Sequence, residues 1–370
     1  MVRFYLVLVA LLLLIPSHSP IMAKFKKQAV TITIKTSPHS QYESKSVLQS
    51  KELVNFLLQK NLLDEDAVPP ITDTYISFKQ KGKRETYLVS QNYRVFDVTS
   101  EKFLKPLPNK IEKEIMTLID TLKKKHYGEL LPWNKVTEII PKKSTFEILD
   151  IDSGLRFKVQ RRAGSQHADV QPLTKKDTEI MKEIYNGKWS WKRRAILINV
   201  NKQSIAASMH GMPHGKGALV NGFPGHFCVH LQGSTTHKSK STDLSQQLMV
   251  LKAAGTLDQY FYQIGSSELV DVFLAAVNQH DLYLLTHSVG QEKDFEKIAK
   301  ELFTIESIRK VAVLGVDETN NFINEIPIEV RFYRHGQREE KQSLIFRVYR
   351  NSLVDRWEID FQHISKQLIK

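Results

Sequence analysis

Cys228 is the only cysteine of the chain, and five of its thirteen histidines, His210, His214, His226, His230 and His237, fall within the 28 residues from 210 to 237. Gly211, Gly215, Gly217, Gly222 and Gly225 occupy the same stretch. Glycine lets a backbone turn sharply and approach a ligand closely, as loops that carry reactive groups require. A cysteine attacks as its thiolate, so Cys228 needs an imidazole to take its proton and a donor to stabilise the oxyanion of an attacked carbonyl. His210 is the candidate base. His226, two residues before Cys228, shares its face in an extended segment and steadies the nucleophile or the oxyanion. Gly211, His214, Gly225, Phe227 and His230 surround these groups and are the substrate-binding candidates.

The same residues allow a different chemistry. Alternation along a strand puts His226, Cys228 and His230 on one face, with His237 nearby and with His167 and Asp169 upstream in Gly164-Ser165-Gln166-His167-Ala168-Asp169. All are good zinc ligands, and in that reading a metal-bound water is the nucleophile and Cys228 a ligand. Ser165-Gln166-His167 with Asp169, followed by a later pair of histidines, resembles the ligand pattern of zinc peptidases that trim wall peptides.

The run Gly225-His226-Phe227-Cys228-Val229-His230-Leu231 resembles the Ser/Thr-His-Gly-Cys-hydrophobic-Arg/Asn signature of L,D-transpeptidases of the YkuD type. His210-Gly211, separated from Gly225 by fourteen residues, stands where that family has its upstream His-Gly. Three positions depart from the signature: Gly225 replaces Ser or Thr, Phe227 replaces the internal Gly, and His230 replaces Arg or Asn. The resemblance covers about residues 145 to 255. It implies a mixed, mostly β catalytic domain in which the thiolate attacks the carbonyl after meso-diaminopimelate or a similar centre in a wall tetrapeptide. The terminal D-residue leaves, and the acyl group passes to an amine or to water. No metal or organic cofactor is implied; zinc belongs to the alternative. A third reading, a wall-binding protein without activity, stays open because the flanking regions carry no catalytic motif.

The elements that must position these residues are read from periodicity and turn signals. A hairpin over Thr145–Asp150 and Leu155–Val159, a helix over Lys175–Tyr185 capped by Thr174 with Asp177, and strands over Arg194–Val200 and Ser204–Met209 lead into the histidine cluster. Tyr185, Trp189 and Trp191 are candidates for a groove, and Arg193 and Arg194 for holding a carboxylate. Upstream, Ala29–Lys35 reads as a strand, Lys45–Leu63 as a helix, Thr74–Lys79 and Glu85–Val89 as a hairpin, Pro108–His126 as a helix, and Leu131–Lys143 as a linker. Downstream, helices over Leu244–Ala254 and Leu257–Gln279 precede strands over Ile308–Leu314, Ile326–Tyr333, Ser343–Tyr349 and Leu353–Ile359. The stretch from Phe273 to Leu282 resembles the first helices of the NTF2-like fold. The expected fold class is α+β, with a signal or anchor over 1–23, an α+β module over 24–143, an L,D-transpeptidase-like domain over 144–255 and an NTF2-like module over 256–370.

Arg3 followed by the apolar run Phe4–Ile15 and Pro16 has the layout of a secretory signal. Twelve residues at about 1.5 Å each cover roughly 18 Å, short of a bilayer core of about 30 Å, so cleavage near Ala23 is favoured over a permanent span. The expected location is outside the cytoplasm, in the wall or at the outer membrane face. A lone cysteine excludes an intrachain disulfide framework. Lys and Arg number 53 against 40 Asp and Glu, a net charge of +13. No basic stripe interleaves with aromatics, so nucleic acid is not an expected partner, whereas wall stem peptides and anionic envelope polymers are.

Overall fold

The computed structural model describes residues 29–64, 67–236, 240–290, 292, 294–315 and 320–369. The signal-like run and His237 lie outside these. The fold is mixed α+β and contains three antiparallel sheets, the central one closed into a barrel.

The first sheet is built from β1 (Ala29–Ile34), β2 (Ser44–Gln49), β3 (Thr74–Gln80), β4 (Lys83–Val89), β5 (Val95–Asp97) and β6 (Lys102–Phe103), in the order β2-β1-β3-β4-β5-β6. Helices α1 (Lys51–Gln59) and α2 (Asn109–His126) cover it, with Leu53, Leu57, Ile111, Ile115 and Ile119 buried against Ile32 and Ile76. The expected helix over Lys45–Leu63 is strand in its first part. Ser44–Gln49 alternates and pairs with β1 from Ile34↔Ser44 to Ala29↔Gln49, and the helix begins only where the Ser50 hydroxyl accepts from the Leu53 amide.

The segment expected as a linker contains α3 (Trp133–Ile139). Pro132 stands at its cap, where a missing N–H costs little, and Val136 and Ile140 are fully buried in the barrel core. The Arg161 guanidinium fastens the helix by donating to the carbonyls of Thr137 (3.2 Å) and Ile140 (2.7 Å).

The barrel comprises β7 (Thr145–Asp150), β8 (Arg156–Ala163), β9 (Ala168–Pro172), β10 (Arg193–Val200), β11 (Gln203–His210) and β12 (Phe227–His230), ordered β10-β11-β12-β9-β8-β7 and closed by pairing of β10 with β7. Between β9 and β10 lies α4 (Lys175–Ile184), whose N-terminus is held by a reciprocal capping box of Thr174 and Asp177. Strand alternation sorts the side chains into two populations. Ala168, Val170, Ile196, Ile198, Ala207, Met209, Phe227 and Val229 fill the barrel core. Leu149, Ala195, Leu197 and Ala206 face the opposite way and join the core of the helices that follow.

Those helices are α5 (Leu244–Ala254), α6 (Leu257–Gln263), α7 (Ser266–Gln279), α8 (Leu282–Val289) and α9 (Phe295–Leu302). The third sheet, β13 (Ile305–Val313), β14 (Ile323–Arg334), β15 (Glu340–Tyr349) and β16 (Glu358–Ile359), packs on them, and α10 (Phe361–Leu368) closes the chain's last turn. The single helix expected over Leu257–Gln279 is two, because the chain becomes extended at Ile264 and Gly265. The strand expected over Leu353–Ile359 is only two residues long, and Leu353 and Val354 are exposed. One apolar core runs without a break from the outer face of the barrel to the third sheet. Among the described residues no helix is long and apolar enough to cross a membrane.

Candidate active site

β12 lies between β9 and β11 with Cys228 opposite Asp169 and His230 opposite Ser208. Because Phe227 and Val229 take the barrel core, Cys228 and His230 project from the other face, together with Asp169 and Gln171 of β9 and with Ser208 and His210 of β11. His167, one residue before β9, stacks on His230 with ring centroids 4.5 Å apart. The strand period therefore gathers on one surface a thiol, a carboxylate and imidazoles that are as much as 63 positions apart in sequence, from His167 to His230.

The loop from 211 to 226 brings the remaining imidazoles. Its ends are joined by two backbone bonds, His214 N to His226 O at 3.0 Å and His226 N to His214 O at 2.9 Å. Gly225 makes this closure possible: at φ +133° it lies so near the strand that a Cβ would stand 2.5 Å from the His214 carbonyl oxygen. Two buried amides pin the loop. Gln171 donates to the Gly225 carbonyl at 2.7 Å and accepts from the Ala218 amide at 2.9 Å, while Asn221 donates to the Pro172 carbonyl and accepts from the Phe223 amide at 2.9 Å.

At the centre, Cys228 Sγ is 3.4 Å from His214 Nε2 and 3.7 Å from Asp169 Oδ1. The other ring nitrogen of His214 lies 3.2 Å from the Met212 carbonyl. A carbonyl only accepts, so Nδ1 carries the hydrogen and Nε2 presents its lone pair to the thiol. His226 is oriented likewise, with Nδ1 at 3.3 Å from the Lys216 carbonyl and Nε2 at 3.8 Å from Asp169 Oδ1. His167 points Nδ1 at the Thr235 carbonyl (2.7 Å) and Nε2 at Asp169 Oδ1 (3.3 Å). Burial pushes the Cys228 thiol well up, and the adjacent Asp169 charge and hydrogen bond push it further.

His210, expected as the base, is near but not nearest. Its donor atom, that of His214 and the sulfur lie within 4.8 Å of one another. It is only 3 % exposed, its Nδ1 has no hydrogen-bond partner among the described residues, and burial together with Arg193 and neighbouring imidazoles pulls it down to about 2. It is therefore a neutral ring at any physiological pH. Trp191, half exposed, covers it from outside with ring centroids 4.7 Å apart and reaches His214 at 5.7 Å.

Phe227, expected beside the substrate, is instead fully buried in the barrel core against Phe157 and Phe223, since it has the opposite parity to Cys228. Gly211 rests on the Tyr185 ring, where a Cβ would approach to 2.5 Å. Arg193 and Arg194 are already engaged, Arg193 with Asp243 at 2.6 Å and Arg194 bidentately with Asp150 at 2.7 and 2.6 Å. Trp189 packs edge-on against Phe223. A cavity of about 630 Å³ on the far side of Tyr185 and Arg193 is lined by no member of the cluster. Gln171 and Asn221 are not legible in the sequence, because Asn221 lies inside the glycine-rich loop and Gln171 on β9 forty residues before it, and only the fold brings the two together. No protein-family model, no curated protein and no solved structure matches the chain.

Proposed function

We propose that the chain is a cysteine-dependent acyltransferase of L,D-transpeptidase type that acts on wall stem peptides outside the cytoplasm. In this reading the barrel is the catalytic unit, set between an N-terminal α+β module and a C-terminal NTF2-like module, and the basic surface attracts anionic envelope polymers. The observation that carries it is the 3.4 Å approach of Cys228 Sγ to an imidazole nitrogen whose tautomer is set by the Met212 carbonyl. As a peptide carbonyl enters, His214 Nε2 takes the thiol proton and the sulfur forms the C–S bond. The tetrahedral oxyanion collapses with loss of the D-residue amine, which receives that proton from His214. An amine or water then attacks the thioester, gives a proton to His214, and releases the thiol. His210 lies on the reacting side as a neutral ring, and His226 closes the loop through its paired backbone bonds with His214.

Mass spectrometry of the full chain incubated with wall tetrapeptides tests the reading. An adduct of the tripeptide acyl mass on Cys228, absent in Cys228→Ala, is expected. Normal turnover by Cys228→Ala would end it.

A further inference from the structure

Three of the imidazoles around Cys228 share one orientation: the Nδ1 of His167, His214 and His226 each meets a backbone carbonyl, so each Nε2 is turned toward Cys228 or Asp169. His230 likewise places Nδ1 3.0 Å from the Ser234 hydroxyl. This is the outer-shell pattern that orients metal-binding histidines, in which one ring nitrogen is tied to an oxygen and the other faces the ion. At His167 the second ring nitrogen, Nε2, lies 3.3 Å from Asp169 Oδ1.

We propose that His167, Cys228 and His230 form a binding site for a divalent metal of zinc type, with the fourth position open to Asp169 or water. Their donor atoms lie within 4.8 Å of one another. A tetrahedral zinc with bonds of about 2.0 to 2.3 Å needs edges of about 3.3 to 3.8 Å, which small side-chain rotations supply. All three residues are buried, so the ion would sit below the protein surface. Metal binding converts the thiol to a metal-bound thiolate and releases its proton to solvent. Resting on the acyl-transfer reading, the ion then acts as a reversible lock on the nucleophile, because its sulfur lone pair is engaged. A second set, His210, His214 and Cys228, also lies within 4.8 Å. It is the weaker choice, since among the described residues no oxygen meets His210 Nδ1 to orient the ring.

The probe is Co²⁺, titrated into chelator-stripped full-length protein, with Zn²⁺ as competitor. A near-ultraviolet sulfur-to-cobalt charge-transfer band saturating at about one equivalent, displaced by Zn²⁺, is expected. In the unmodified protein, Zn²⁺ should also slow alkylation of Cys228 tenfold or more, a measurement that needs no variant. His167→Gln and His230→Gln should each weaken Co²⁺ binding by roughly tenfold or more with an unchanged circular-dichroism spectrum. Absence of the band, unprotected Cys228, or binding lost in His210→Gln but kept in His167→Gln overturns the site. The acylation assay is read separately. Thioester formation by stripped protein without any metal binding leaves the acyl-transfer reading and removes the metal; peptide turnover only by loaded protein keeps the metal and removes the nucleophile and its lock.

Discussion

The thiol of Cys228 has one proton and two neighbouring acceptors, His214 Nε2 at 3.4 Å and Asp169 Oδ1 at 3.7 Å. Which one takes it during reaction follows from basicity and orientation. A carboxylate is ordinarily a far weaker base than imidazole, with reference values near 4 and 6.5, and His214 Nε2 is also the nearer of the two, so the imidazole is the useful acceptor. His210 is poorly suited to hold a proton, because burial pulls it to about 2. The expected ranking of variants is therefore His214→Gln lowest in acylation rate, by a factor of about 10² to 10⁴, with His210→Gln losing less. Single-turnover mass spectrometry of both variants measures this. The reverse order would return the base to His210. Here residue type and spacing pointed to a cysteine with a nearby histidine and to His210 as the base, with His214, four residues on, as a substrate-binding candidate. The choice depends on where the His214–His226 bridge places each ring.

At the scale of elements, the site depends on a loop held by few bonds. Gln171, fully buried on β9, satisfies the Gly225 carbonyl and the Ala218 amide at once. Replacing it by Ala leaves both without that partner, and we expect a loss of about 1 to 3 kcal/mol together with faster proteolysis between 211 and 226. Urea denaturation and limited trypsin digestion report the two effects; an unchanged digestion rate would mean that Asn221 alone holds the loop. Gly225→Ala should act more locally. Its φ of +133° and the 2.5 Å approach to the His214 carbonyl leave no room for Cβ, so the His214–His226 bridge must open. Acylation should fall at least tenfold while the melting temperature moves by only a few degrees, and wild-type rates in this variant would show that the bridge does not position His214.

Across the whole molecule, buried charge ties the barrel to the helices behind it. Lys252 of α5 is 3 % exposed and reaches Asp281, the cap of α8, at 2.9 Å and Asp152 of the β7–β8 turn at 3.3 Å. Lys252→Ala takes the shared ammonium from the buried Asp281 and from Asp152, which keeps Arg194 at 4.0 Å, and should cost about 3 to 5 kcal/mol by chemical denaturation. A loss under about 1 kcal/mol would mean that water replaces the ammonium. A second global effect concerns acid. His126 is fully buried between the Thr36 and Ser44 hydroxyls and stacked on Tyr42, and burial depresses it to about 4. The unfolded chain binds its proton near 6.5 and the folded chain not until about 4, so stability is full above 6.5, falls as pH drops between these values, and levels off below them. The contribution reaches roughly 3 kcal/mol. His126→Gln should lose less stability than wild type between pH 7 and pH 4.5 in urea titrations; equal losses would assign the acid sensitivity to other groups.

Local signals were sufficient where the cause is local. The capping box of Thr174 and Asp177, the Lys81–Gly82 and Asn201–Lys202 turns with positive φ, and the parity that puts Cys228 and His230 on one face all follow from near neighbours in the chain. The α+β class followed from the same periodicities. Tertiary pairing decided what they left open. Ser44–Gln49 is strand because β1 offers it a partner, and residues 133–139 form a helix because Val136 and Ile140 have a barrel core to enter. Asp169 stands opposite Cys228 only because β9 and β12 meet in one register, 59 residues apart in sequence. A strand's own residues determine which way its side chains point, but closure of the barrel determines what they point at, because inter-strand register is set by non-local packing that no window of sequence contains.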